Sequence, residues 1–265
     1  MKHRIAIALA IGLTSPLAAA VIDDAAGREA RWNDISQTIF AGKPLTPTSD
    51  VVVLDAPARA VDPAAVPMVL TMPGPDKVAA VSLVIDDNPS PYAAHIAFGP
   101  AALTRSIGLR VRVNAYTNVH AVAQTADGRL FETVKFVKAS GGCSAPVGGS
   151  EEEALRGMGT MSLLFAGKGA GAPNATAATL TIRHPNFSGM QMDQLTRQYT
   201  LARYVQKIVV TQGGRNIFTL DGDISLATNP TIDFAFTAAG KAPVEVVASD
   251  NQGGHWEQSF ALPGA

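Results

Sequence analysis

The chain has 265 residues, a formal net charge of -1, 47% hydrophobic residues and 16% charged residues. That is room for one large domain or two ordinary ones around a sizeable core, and it excludes a disordered chain. A balanced charge implies no basic surface and argues against nucleic acid as a partner. With 24 Gly, 17 Pro and only 6% aromatic residues, the composition favours short strands joined by turns.

The N-terminus has the pattern of an export signal. Lys2, His3 and Arg4 are basic, residues 5–13 are apolar, and Ala18, Ala19 and Ala20 are small at the positions a signal peptidase reads. The apolar run is too short to span a bilayer as a helix, which takes about 20 residues. No later stretch is long and apolar enough to span one. The pattern predicts cleavage near Ala20 and a mature protein that is periplasmic or secreted.

Residues 23–40 carry Trp32, Ile35 and Ile39 at helical spacing, so a short N-terminal helix is expected there, ended by Gly42, Pro44 and Pro47. Aliphatic runs at 51–54, 66–70 and 78–85 read as strands between Pro and Gly clusters. The stretch from Asp86 through Asp87, Asn88, Pro89, Ser90 and Pro91 reads as a solvated turn. Its acidic pair has no third acid nearby, so a metal site there is a weak alternative. In residues 108–116, Leu109, Val111 and Val113 alternate with Arg110, Arg112 and Asn114, which predicts a strand with one buried face. The two arginines then lie in solvent or at a domain interface. Runs at 119–124 and 131–137 flank Asp127-Gly128 and read as a hairpin.

The hairpin leads into Gly141, Gly142, Cys143 and Ser144, followed by Ala145 and Pro146. Cys143 is the only cysteine in the sequence. In an oxidising compartment structural cysteines come in pairs, so a single one is inert in a core, bonded to another chain, or a reactive thiol. The small and rigid neighbours predict an exposed thiol on a flexible arm, able to form a covalent adduct. A thiol hydrolase would need one of His95, His120, His184 or His255 beside Cys143, yet no local pattern resembles a thiol-protease signature. The histidines show no metal-ligand spacing, and no cofactor-binding motif or Gly-rich phosphate loop is present.

Residues 147–158 are rich in Gly, Ser and Glu and read as a linker. Beyond it, runs at 179–183, 201–210, 217–220, 224–226, 232–236, 244–248 and 255–262 alternate with turn residues and predict a second all-β unit. The expected fold is therefore all-β, with two sandwich domains in tandem after a short helix.

These residues resemble a known family in both halves. Asp87 through Pro91, the strand Arg110-Val111-Arg112, residues 117–123, Asp127-Gly128, and Val137-Lys138 leading to Gly141-Gly142-Cys143 resemble SoxY. Arg183-His184-Pro185 with Ser188-Gly189, Asn229-Pro230 before Phe234-Ala235-Phe236, and Ser249 through Gly253 resemble SoxZ. Together the cues run from about Trp32 to Leu262, in the order of a fused SoxYZ-like carrier of the group associated with quinoprotein (PQQ-dependent) alcohol dehydrogenases. The resemblance implies two immunoglobulin-like β-sandwich domains that pair within the chain. With the signal peptide at 1–20 and the linker at 147–158 read from the residues above, the resemblance implies a SoxY-like carrier domain at 21–146 and a SoxZ-like domain at 159–265. Cys143 would be the covalent carrier of a sulfur-containing intermediate, with Gly141, Gly142 and Ser144 forming its arm. The protein would be a carrier rather than an enzyme, serving periplasmic redox enzymes and in particular a quinoprotein dehydrogenase. A non-covalent accessory or assembly role for such a dehydrogenase is the alternative. One departure is visible: the SoxY cysteine sits on a free C-terminal arm, whereas here the whole SoxZ-like half follows Cys143.

Overall fold

Alternating burial defines most of the strands. In Val66–Thr71, the side chains of Val66, Met68 and Leu70 are fully buried, while Pro67 faces out; in Thr231–Thr237, Ile232, Phe234 and Phe236 do the same around an exposed Asp233. The computed structural model describes residues 25–74, 78–103, 106–168, 175–192 and 197–263. The expected export segment, residues 1–20, lies outside the described residues.

Helix α1 spans Ala25–Phe40. It is followed by β1 (Leu45–Pro47), β2 (Val53–Asp55), β3 (Val66–Thr71), β4 (Val78–Ile85), β5 (Tyr92–Phe98), β6 (Ser106–Val111), β7 (Thr117–Thr125) and β8 (Leu130–Val137). Helix α2 (Glu151–Leu155) separates these from β9 (Met161–Lys168), β10 (Ala175–Ile182), β11 (Val205–Gln212), β12 (Arg215–Gly222), β13 (Thr231–Thr237), β14 (Val244–Asp250) and β15 (His255–Phe260).

The strands form two sheets, and both run through the two halves. The 9-stranded sheet has the order β1-β8-β7-β4-β5-β12-β11-β14-β15, and the 6-stranded sheet the order β2-β3-β6-β13-β10-β9. Each half is thus a small immunoglobulin-like sandwich, as the sequence leads one to expect. The halves are joined edge to edge, with β5 antiparallel to β12 (Phe98 opposite Phe218, Ala94 opposite Gly222). In the other sheet β6 lies antiparallel to β13, with Leu109 opposite Ile232. One apolar core between the sheets includes Leu54, Met68, Leu83 and Ile96 from the first half and Leu180, Ile208, Leu220 and Phe236 from the second. Pairing the edge strands satisfies backbone groups that a lone sandwich would leave open.

Helix α1 lies outside this core, on the outer face of the larger sheet. Its one fully packed side chain, Trp32, joins Val84, Val122 and Leu130 in a separate apolar cluster, with Ile35, Ile39 and Phe40 at its rim. Within the region expected to be a linker, α2 is closed by a capping box. Ser150 Oγ accepts from Glu153 N, and the Glu153 carboxylate accepts from Ser150 N.

Three local expectations need correction. The strand expected at 108–116 ends at Val111, where the chain leaves the sheet, so the alternation stops and Arg112 turns inward with 1% exposure. The turn expected in solvent at 86–91 is partly internal: Asp86 and Asn88 are buried. Residues 224–226 form a turn rather than a strand, and they meet the first half through a bridge from Leu226 to Val111 and through hydrogen bonds of Ser225 to Ser90, Asn88 and Arg112.

Candidate functional site

The segment from Gly141 to Ser144 leaves β8 after Lys138 and runs back along residues 113–114, in place of swinging free. Gly141 N donates to Asn114 O at 2.8 Å and Gly142 N to Val113 O at 3.1 Å. A turn closes when Ser144 N reaches Gly141 O at 3.2 Å, with Gly141 at φ +74°, a conformation that favours glycine. At Gly142 an added Cβ would meet Pro63 O at 2.1 Å and Val113 O at 2.6 Å. Gly141 therefore serves the turn and Gly142 close backbone packing, which are different uses from the flexibility expected of them.

Cys143 is 0% exposed. The expectation of an exposed thiol on an open arm is thereby corrected: the arm is pinned between the halves, Ser144 faces solvent, and the thiol faces in. Small neighbours signalled room for close approach, and the fold fills that room with its own backbone. Cys143 N donates to Asn114 Oδ1 at 3.3 Å, and Ser188 Oγ, from the second half, donates to Cys143 O. Burial pushes the thiol up to about 11, with the nearby Arg112 guanidinium pulling the other way. In this closed arrangement the sulfur is neutral and a poor nucleophile at neutral pH.

A polar hub surrounds the arm, built from both halves. Asn88 donates through Nδ2 to Arg112 O (2.8 Å) and Ser225 Oγ (2.9 Å), and its Oδ1 accepts from Asn114 N (2.9 Å). The Arg112 guanidinium donates to Gly142 O (3.2 Å), Asn186 O (3.1 Å) and Thr228 Oγ1 (2.8 Å). Asn186, at φ 46°, bonds Leu226 O and Val205 N, and its own N–H donates to His184 Nδ1. Ser188 is held by Gln191 Oε1. Sequence reasoning missed Asn88, Asn114 and Ser188 as supports of the arm. Their one signal was chemical: polar side chains in short segments rich in Pro and Gly.

The histidines are engaged elsewhere, and no described hydrogen bond links one to Cys143. His95 Nδ1 meets Ser82 Oγ at 3.0 Å; His120 lies between Asp86 (3.3 Å) and Glu132 (3.6 Å); His255 pairs with Glu257 at 3.0 Å on the surface. His184, fully buried, faces Asp250 at 3.5 Å, and Asp250 is tied to Arg203 at 2.7 Å. No group of His, Cys, Asp and Glu suited to a metal ion occurs among the described residues, and no described helix is long and apolar enough to cross a membrane.

Comparison with known proteins matches two family models in tandem. The sulfur oxidation protein SoxY matches residues 36–143, and the sulphur oxidation protein SoxZ matches residues 168–261. A search of the curated proteins finds no match. Among solved structures, the sulfur carrier protein SoxY from Chlorobium limicola f thiosulfatophilum is 24% identical, covering 43% of this chain and 96% of its own, with a TM-score of 0.37. A beta-glycosidase from Bacteroides vulgatus is 9% identical, covering 81% of this chain and 25% of its own, with a TM-score of 0.22. The order of the two family matches along one polypeptide places the chain among the fused SoxYZ-like proteins.

Proposed function

We propose that the protein carries a sulfur-containing intermediate as a covalent adduct on Cys143 and presents it to partner enzymes, without catalysing a reaction itself. The observation that carries this reading is the tandem order of the two families, with the SoxY match ending on Cys143. The carrier domain comprises residues 21–146, the linker 147–158 and the SoxZ-like domain 159–265. Gly141, Gly142 and Ser144 form the arm. The protein is exported to the periplasm after loss of residues 1–20, and its partners are redox enzymes there, among them a quinoprotein dehydrogenase. Burial of Cys143 adds a requirement: the arm must lift from the seam before the sulfur is loaded or unloaded.

Tetrathionate tests this directly. The Cys143 thiolate attacks a central sulfur, the S–S bond of tetrathionate breaks, thiosulfate leaves with the electron pair, and the cysteine keeps an S-thiosulfonate group. The wild type should gain that mass and Cys143→Ser should not. Failure of the folded wild type to load, under conditions and over times at which Cys143 in the same protein is alkylated by iodoacetamide, would remove the carrier reading. The burial itself favours a second reading, in which the chain is a non-covalent accessory of a quinoprotein dehydrogenase. Under it, Cys143→Ser retains partner binding and function.

A further inference from the structure

The guanidinium of Arg112 is the unexplained charge of the site. It is 1% exposed and lies where the arm, β6 and the second half meet. Its hydrogen bonds go to neutral acceptors: Gly142 O, Asn186 O and Thr228 Oγ1, with Pro185 O at 3.5 Å. Its Nε has no partner. Among the described residues no carboxylate stands within ion-pair distance of it. Asp62 acts on it only through space, and one oxygen of that carboxylate is taken by Ala64 N at 2.9 Å. A buried cation without a counter-ion is costly in any fold. The ionisable group that, once charged, would bear on it most is Cys143, the residue after Gly142, whose carbonyl Arg112 holds.

We propose that Arg112 is the counter-ion of the carrier sulfur, pairing with the Cys143 thiolate and with the anionic end of whatever sulfur group the cysteine bears. This rests on the carrier reading and gives it a specificity: the cargo is an anion, of the sulfane or sulfonate kind, and a neutral adduct is held less well. In the closed arm the sulfur is protonated and the cation is left to neutral acceptors. When the arm loosens at Cys143 while Gly142 O stays on Arg112, water relieves the burial that opposes ionisation, and Arg112 favours the negative sulfur.

The test uses two alkylating reagents of similar size, anionic iodoacetate and neutral iodoacetamide. In each case the thiolate sulfur forms a bond to carbon and iodide leaves. For wild-type protein the ratio of the iodoacetate rate to the iodoacetamide rate should be several-fold higher than for a free cysteine peptide under the same conditions. Arg112→Gln should bring the ratio down to that of the peptide, and Arg112→Lys, which keeps the charge, should restore most of it. The pH midpoint of iodoacetamide alkylation should rise in Arg112→Gln by about one unit or more. A purely structural Arg112 would change the plateau rate, through arm opening, and leave the charge preference alone. A wild-type ratio at or below that of the peptide overturns the proposal even if neither variant folds, and so does a ratio unaltered in Arg112→Gln. Tetrathionate loading of the wild type distinguishes the two claims. Loading without charge preference sinks the counter-ion and leaves the carrier; no loading sinks both.

Discussion

At Gly142 the arm has no room for another atom, because an added Cβ would collide with the backbone oxygens of Pro63 and Val113. Gly142→Ala should therefore push the arm off the seam, lowering Tm and raising the alkylation rate of Cys143 by an order of magnitude or more. Slower or unchanged alkylation would show that the arm is not what shields the thiol. Cys143→Ser is nearly isosteric, so its cost is that of burying a hydroxyl, about 1–3 kcal/mol by mutational precedent, and chemical denaturation should find the variant folded. The two buried histidines give opposite pH signatures. Burial lowers His184 despite the opposing pull of Asp250, so the fold favours its neutral form. As pH falls through the ordinary value of about 6.5, the unfolded chain takes the proton first and stability is lost. His120 is pushed down by burial, but the carboxylates of Asp86, which it bonds, and Glu132, beside it, outweigh this and raise it. Its contribution is complete below about 6.5 and disappears as pH rises through its raised value. The Tm gap between wild type and His120→Phe should accordingly shrink as pH rises above the ordinary value of about 6.5, and a gap independent of pH would contradict the ionised His120.

Among the elements, α1 is held chiefly through Trp32, the one buried side chain it contributes. The Trp32 indole stacks on the His120 imidazole at 3.6 Å between centroids and 9° between planes, over a cleft of about 580 Å³. Trp32→Ala should cost about 3–5 kcal/mol if the helix belongs to the cooperative fold. A denaturant midpoint unchanged in that variant would mean that the helix adds nothing to it. Much of this level was legible beforehand. Trp32, Ile35 and Ile39 marked the helix by their spacing, and β4, β7, β8, β13 and β14 were marked by β-branched runs. The strands β5 and β9 were not, because Ala93, Ala94 and Ala97 in one and Ser162 and Gly167 in the other dilute the apolar pattern. The cysteine was legible as the special residue, but its burial was not. Local sequence shows small residues around Cys143, and only the fold shows that Pro63, Asn114 and Ser188, from three distant segments, close over it. Arg112 was legible in part: alternation offered solvent or a domain interface, and it lies at the interface, bonded to Asn186 and Thr228 of the second half, but buried, because the strand ends one residue earlier.

For the whole molecule, the two halves share both sheets and one core. The chain should melt in a single calorimetric transition, with the measured enthalpy matching the van't Hoff value; two separated transitions would contradict a shared core. Under the proposed carrier function, the same continuity would let a covalent fusion keep Cys143 within reach of partners. The arm is anchored at both ends at the seam, where both halves contribute ligands to it, so the seam itself sets whether the sulfur is hidden or offered. The most direct measurement of that account is the intact mass of the protein taken from its native compartment without reductant. An adduct that maps to Cys143, contains sulfur and is released by a thiol reductant is the predicted result. A bare Cys143 under every growth condition, in protein that supports its pathway equally well as Cys143→Ser, would contradict it.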